Sequence, residues 1–271
     1  MNKENRKHPL CEKHPLIGII LAVLVAYLII TTLASLGTVM GVSDTVSYLI
    51  TIIAALIVLV VFRWWFAPQF KGFLRPAVSV KTVLILCIPE LILSLVSVSA
   101  TEITNGYWFF KPTLNAVVMA FTAGIFEETL FRATPAFVGM HYLKSESRSL
   151  RLAVVLSILF GLSHLANLSG GSGFYMTILQ AVSATGTGLM FMAIYLRTGT
   201  IIPTMFLHGL YDWLCFVSDP SLTDDGLVTN ATPVSDQIIE IILTVIRVGI
   251  ALYLLRRSKW KEINEVWDQK W

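Results

Sequence analysis

Three apolar stretches of this 271-residue sequence carry ionisable residues that a hydrocarbon environment makes costly. Glu127, Glu128 and Arg132 stand in AGIFEETLFRA, His164 in LFGLSHLAN, and His208 and Asp212 in TMFLHGLYDWL. An ionisable group inside a membrane span is by default a functional hypothesis. Carboxylates grouped with imidazoles suit three kinds of chemistry: general acid–base hydrolysis, metal-assisted hydrolysis, and proton relay.

Spacing sorts these residues. Glu128 and Arg132 are four apart, in the glutamate-first order that favours an ion pair on one helix face. Glu127 sits about 100° round the helix from Glu128. It therefore lacks that local partner and is free for chemistry, while Glu128 is expected to face away from it. His208 and Asp212 are also four apart, so Asp212 can orient the imidazole. Phe160, one turn before His164, is placed to pack against its ring. Glu127 lies 13 residues from Met140, His164 lies 13 from Arg151 and His208 lies 11 from Arg197. At about 1.5 Å per residue, each is roughly 16–20 Å from one boundary, so three helices place polar groups in one layer. Polar glue between helices is the plainer reading. It suits Glu128 and Arg132 better than it suits Glu127, His164 and His208 together.

The elements that must position these groups are membrane helices. The chain is 55% hydrophobic and only 14% charged, against about 25% charged in soluble domains. Its apolar runs reach the length needed to cross a bilayer. Hydropathy predicts about eight spans: Leu16–Met40, Val46–Phe66, Val80–Ala100, Leu114–Met140, Leu152–Leu168, Phe174–Leu196, Ile201–Val217 and Ile238–Leu255. The fold class expected is an all-α integral membrane protein with its polar site between helices four, five and seven. The first run is too long for a cleavable signal peptide and reads as a retained span.

Lys and Arg favour the tail (Lys3, Arg6, Lys7, Lys13) and alternate connections, including Lys71, Arg75, Lys144, Arg148 and Arg197. The remaining connections are nearly bare of basic residues, and the long one carries Asp219, Asp224, Asp225 and Asp236. This pattern places both termini in the cytoplasm. Residues 1–15 read as a cytoplasmic tail and 16–257 as one polytopic domain. Residues 258–271 read as an amphipathic tail whose Trp260, Ile263, Trp267 and Trp271 lie on the inner leaflet. Three scattered cysteines give no disulfide framework, and no basic cluster suits nucleic acid.

The three polar segments resemble the CAAX protease and bacteriocin-processing (CPBP) family, which includes the prenyl-protein endopeptidases. Its EExxxR, FxxxH and HxxxN/D patterns read here as Glu127-Glu128-x-x-x-Arg132, Phe160-x-x-x-His164 and His208-x-x-x-Asp212, in the family's order. The resemblance implies an intramembrane endopeptidase acting on peptides or lipidated protein C-termini, with Glu127 as general base and His164 as its partner. It also implies that His208 and Asp212 polarise the scissile carbonyl, and that Glu128 and Arg132 hold the geometry. Asp212 stands where prenyl proteases commonly carry asparagine, so it is protonated, orients His208, or meets a metal.

No HExxH is present, and a metal-free glutamate mechanism is the expectation. Were zinc bound, Glu127, His164 and His208 would be its ligands. Two other readings stand beside the peptidase: a non-catalytic membrane immunity or interaction protein of the same fold, and a proton-coupled transporter. The expected location is the plasma membrane of a bacterium, with the site served from the cytoplasmic side.

Overall fold

The computed structural model describes residues 9–67, 69–105, 110–143, 145–218 and 233–271, and among these there is no strand. A short lead-in, α1 (Pro9–Lys13), precedes α2 (Pro15–Met40) and α3 (Asp44–Val61), which pack together as a hairpin. The last turn of α3 widens into a π-turn at Phe62–Phe66. Next come α4 (Val80–Asn105) and α5 (Leu114–Glu128), which runs through a second π-turn (Thr129–Ala133) into α6 (Thr134–Tyr142). Helix α7 (Glu146–Ser163) tightens to a 3-10 turn at His164–Leu168, and α8 (Phe174–Thr198), α9 (Ile202–Ser218), α10 (Val234–Leu254) and α11 (Trp260–Lys270) complete the chain.

Among the described residues, seven helices are long and apolar enough to cross a membrane: α2, α3, α4, α5–α6, α7, α8 and α10. The chain is a multi-pass membrane protein. The remaining expected span is α9, apolar but only 17 residues long, packed between α5, α4 and α8. Lipid offers apolar side chains the same environment as a neighbouring helix does. Association therefore rests on close packing and buried polar contacts. Helix α8 is the axis of that packing. Two thirds of its span is buried, against 22–33% in the other six, and its run Gly186–Leu196 is enclosed throughout.

Contacts between connections define the two ends of the bundle. At one end the Lys71 amide donates to the Lys270 carbonyl (2.7 Å), the Ala77 amide to Thr198 (2.9 Å) and the Ile201 amide to Phe73 (3.0 Å). Helices α1 and α11 both pack on α6. The basic residues Lys71, Arg75 and Arg197 belong to these connections. At the other end the Lys111 amide donates to Val217 (2.8 Å), and Thr104 bonds to Asp236 across α4 and α10. Lys3, Arg6, Lys7, Lys144, Asp219, Asp224 and Asp225 lie outside the described residues.

The C-terminal amphipathic segment forms a helix, but its apolar face turns into the protein rather than onto the leaflet. Trp260, Ile263 and Trp267 are buried. The reason is local. A helix leaves its last four carbonyls without partners, and the Trp267 indole donates to the Leu196 carbonyl near the end of α8 (3.1 Å). Trp271 stacks on His141 (3.8 Å between ring centroids) and on Phe137 (5.5 Å), both in α6.

Candidate active site

The site begins at a crossing of glycines. A Cβ on Gly124 of α5 would stand 2.7 Å from the Gly209 amide nitrogen and 2.8 Å from the Met205 carbonyl oxygen, closer than real Cβ atoms come. Two bare backbones therefore touch where α5 meets α9. One turn further along α5, the carboxylates of Glu127 and Glu128 arrive beside His208.

His208 is the centre of the arrangement. Its Nδ1 lies 3.1 Å from Glu128 Oε1, and its Nε2 lies 3.5 Å from Glu127 Oε2 and 3.6 Å from Asp212 Oδ2. The Nδ1 contact is a hydrogen bond; the two Nε2 distances exceed that range. A proton held at Nε2 has an acceptor on either side. Glu128 therefore does not face away. The rotation of 100° between neighbouring residues separates two carboxylates, yet an imidazole presents nitrogens on two edges and is bracketed by both.

The expected pair Glu128–Arg132 is present, with Nη1 3.0 Å from Oε1 and both side chains essentially unexposed. One oxygen of Glu128 thus serves Arg132 and His208 together. The Arg132 guanidinium also lies over the Phe160 ring, 3.9 Å from its centroid, a favourable cation–π geometry. Gly188 of α8 provides the space, since a Cβ there would stand 2.7 Å from Arg132 Nη2.

Phe160 does more than its spacing indicated. Its ring meets edge-on both His164 (5.0 Å) and His208 (5.7 Å) as well as Arg132. His164 follows the last residue of α7 and its Nδ1 lies 3.0 Å from the Phe160 carbonyl oxygen, which leaves Nε2 as the ring's outward nitrogen. No hydrogen bond or ion pair joins His164 to Glu127 among the described residues; the imidazole beside Glu127 is that of His208.

A cavity of about 260 Å³ adjoins these groups. His164, His208 and Asp212 form part of its wall, whereas Glu127 is not among its lining residues. The cavity continues past Ser97 and Glu240 to Thr101, Ser218 and Asp236. Those three residues stand where α4 and α9 end and α10 begins. The cavity therefore leads away from the end gathered by the basic connections. A site served from the basic end, expected from the topology, is not what the cavity offers.

Sequence reasoning passed over a second buried charged cluster. Arg247 of α10, wholly unexposed, places Nε 3.2 Å from Glu90 Oε1 of α4 and Nη1 3.1 Å from Glu240 Oε1. Ser94 donates to Glu90 (3.2 Å) and Ser97 to Glu240 (2.9 Å), and Ser183 of α8 also donates to Glu240. The Tyr211 hydroxyl, one residue before Asp212, meets Ser97 at 3.3 Å. The signal was in the sequence. Glu240 and Arg247 lie seven apart on one face of an apolar span, and Glu90 interrupts another.

Among the described residues no three His, Cys, Asp or Glu side chains stand together in a way that could hold a metal ion. The trio Glu127, His164 and His208 does not fit a zinc site in this arrangement, and no step below passes through a metal.

No curated protein and no solved structure matches the chain. Residues 108–214 match the family model described as Rce1-like, type II CAAX prenyl endopeptidase Rce1-like. That segment contains all three motifs, the π-turn that carries Arg132 and the whole of the arrangement around His208. Residues 108–214 are thus similar to the CAAX prenyl endopeptidase family that the three motifs resemble.

Proposed function

We propose that this protein is an intramembrane endopeptidase in which Glu127 activates water for attack on a peptide bond. The supporting observation is the convergence of Glu127, Glu128 and Asp212 on the one imidazole of His208, beside a cavity that also meets His164. A carboxylate in a site shielded from bulk water is suited to take a proton from water and deliver it to the leaving amine. His208, fixed at Nδ1 by Glu128, has Nε2 directed to the space between Glu127 and Asp212. There it stabilises charge growing on the scissile carbonyl oxygen. With its Nδ1–H given to the Phe160 carbonyl, neutral His164 presents Nε2 as an acceptor, suited to hold the attacking water. Asp212 acts by orienting His208, since an ionised carboxylate cannot itself donate to an oxyanion. Arg132 and Phe160 hold Glu128 and both imidazoles in register.

The substrate is a membrane-associated peptide or the end of a lipidated protein. With the basic connections cytoplasmic, both termini face the cytoplasm and the cavity leads toward the other face. The test compares membrane peptides and new protein termini, by mass spectrometry, in cells carrying the unsubstituted protein or Glu127→Ala at matched abundance. Termini found only with the unsubstituted protein establish proteolysis and give the cleavage register. Identical termini overturn it in favour of the non-catalytic interaction protein.

A further inference from the structure

The cavity wall away from the two histidines is acidic, and nothing the proposed hydrolysis uses accounts for that. Glu240 and Asp236, one turn apart at the start of α10, both line it, and Asp212 lines it nearer the histidines. Among the described residues no Lys or Arg lines it. The two buried guanidiniums nearby are ion-paired, Arg132 with Glu128 and Arg247 with both Glu90 and Glu240, although Nη2 of each has no hydrogen-bond partner among the described residues. Even with Arg247 counted, that cluster holds two carboxylates against one cation.

Asp236 supplies a second observation. Its side chain is 92% buried (8% exposed). Oδ1 accepts from the Thr104 hydroxyl, while Oδ2 has no hydrogen-bond partner among the described residues. A buried carboxylate oxygen left in this state keeps its desolvation penalty uncompensated, and a cationic donor would recover it.

We infer that this cavity selects substrates by a cationic side chain, of lysine or arginine type, seated between Asp236 and Glu240 while the scissile bond lies at His208. The inference rests on the peptidase reading and adds to it a substrate class. A free carboxylate in the same place would meet three acidic groups, and no Lys or Arg lines the cavity among the described residues. Charge at this distance in a low-dielectric pocket discriminates strongly. Glu240 is a specificity residue whose position is set by Ser97, Ser183 and Arg247; Asp236 is the one with bonding capacity to spare.

The experiment uses N-acetylated, C-amidated nonapeptides of alanine and leucine that carry one norleucine at each position in turn, and matched peptides with lysine or glutamate there. Binding is measured on the 271-residue chain in nanodiscs carrying Glu127→Gln, so that nothing is turned over. Cleavage of the same peptides is measured on the unsubstituted protein. At the position seated in the cavity, lysine is expected to bind at least tenfold tighter than norleucine, and glutamate more weakly than either. Asp236→Asn is expected to cut the lysine advantage over norleucine to threefold or less. Equal affinities for lysine and norleucine, absence of binding included, overturn the inference without any variant at Asp236. An advantage that survives Asp236→Asn combined with Glu240→Gln overturns it too. The peptidase reading is judged separately. Lysine-selective binding without Glu127-dependent cleavage supports the cation site and removes the peptidase, while cleavage indifferent to charge does the reverse.

Discussion

Replacing Gly124 by alanine tests the glycine crossing on which the site is built. The new Cβ would stand 2.7 Å from the Gly209 nitrogen, against 3.4 Å for ordinary contact, and both atoms under pressure are backbone. Helix α5 must then retreat from α9 by about 0.7 Å, since neither backbone has a rotamer to yield. The Glu128–His208 hydrogen bond, 3.1 Å long, would stretch to about 3.8 Å, beyond hydrogen-bond range. Overpacking of this kind costs about 1–3 kcal/mol, and misplacement of catalytic groups approaching 1 Å costs about 10- to 100-fold in rate. Glu127-dependent cleavage and the unfolding midpoint in detergent are measured side by side. Gly249→Ala serves as control, because nothing lies within 4 Å of a Cβ there and a helical glycine gains from the change. Full activity and unaltered stability in Gly124→Ala would show that α5 and α9 do not touch at these glycines, and the account of how Glu127 and Glu128 reach His208 would fall.

Arg132→Met strands Glu128 in a site with essentially no exposure and is expected to cost about 3–5 kcal/mol. Adding Glu128→Gln should recover part of that loss in thermal unfolding, whereas simple additivity would deny the pair. Burial, reinforced by the Arg75 and Lys71 charges, pushes the Lys270 amine down to about 8 from an unfolded value of about 10.4. Between those values the undocked tail holds a proton that the docked tail lacks, so docking of α11 is weakest below pH 8 and strengthens as pH rises toward 10. Limited proteolysis across that range reads the effect, and Lys270→Met should flatten it. Trp267→Ala removes a buried indole and its bond to Leu196. It should cost about 3–5 kcal/mol and expose α11 to protease before the rest of the chain.

The membrane class and the approach of Glu127 and Asp212 to His208 were legible from hydropathy and residue spacing. Three things were not. The π-turn at Thr129–Ala133 falls inside an unbroken apolar run, and hydropathy carries no mark of a widened turn. The role of Glu128 was misjudged because a helical wheel gives directions from one axis, while the reach of a side chain depends on how closely the next helix passes, and Gly124 and Gly209 set that distance. The burial of α11 could not be read from amphipathicity alone, since a lipid surface and the end of α8 satisfy the same face equally well. The cluster of Glu90, Glu240 and Arg247 is a different case. It obeys the rule that drew attention to Glu127, and was passed over because its members are scattered along two spans rather than gathered in a motif.

That cluster bears on how the molecule is made. Glu90 is synthesised 157 residues ahead of the arginine that pairs with it. At about 5–20 residues per second, translation leaves that carboxylate without its partner for roughly 8–30 s. A charge at the centre of a lone span costs several kcal/mol in lipid, so α4 has reason to stay near the insertion machinery until α10 emerges. Membrane integration of this chain is then a delayed, partner-dependent event, in which the last long helix releases the third.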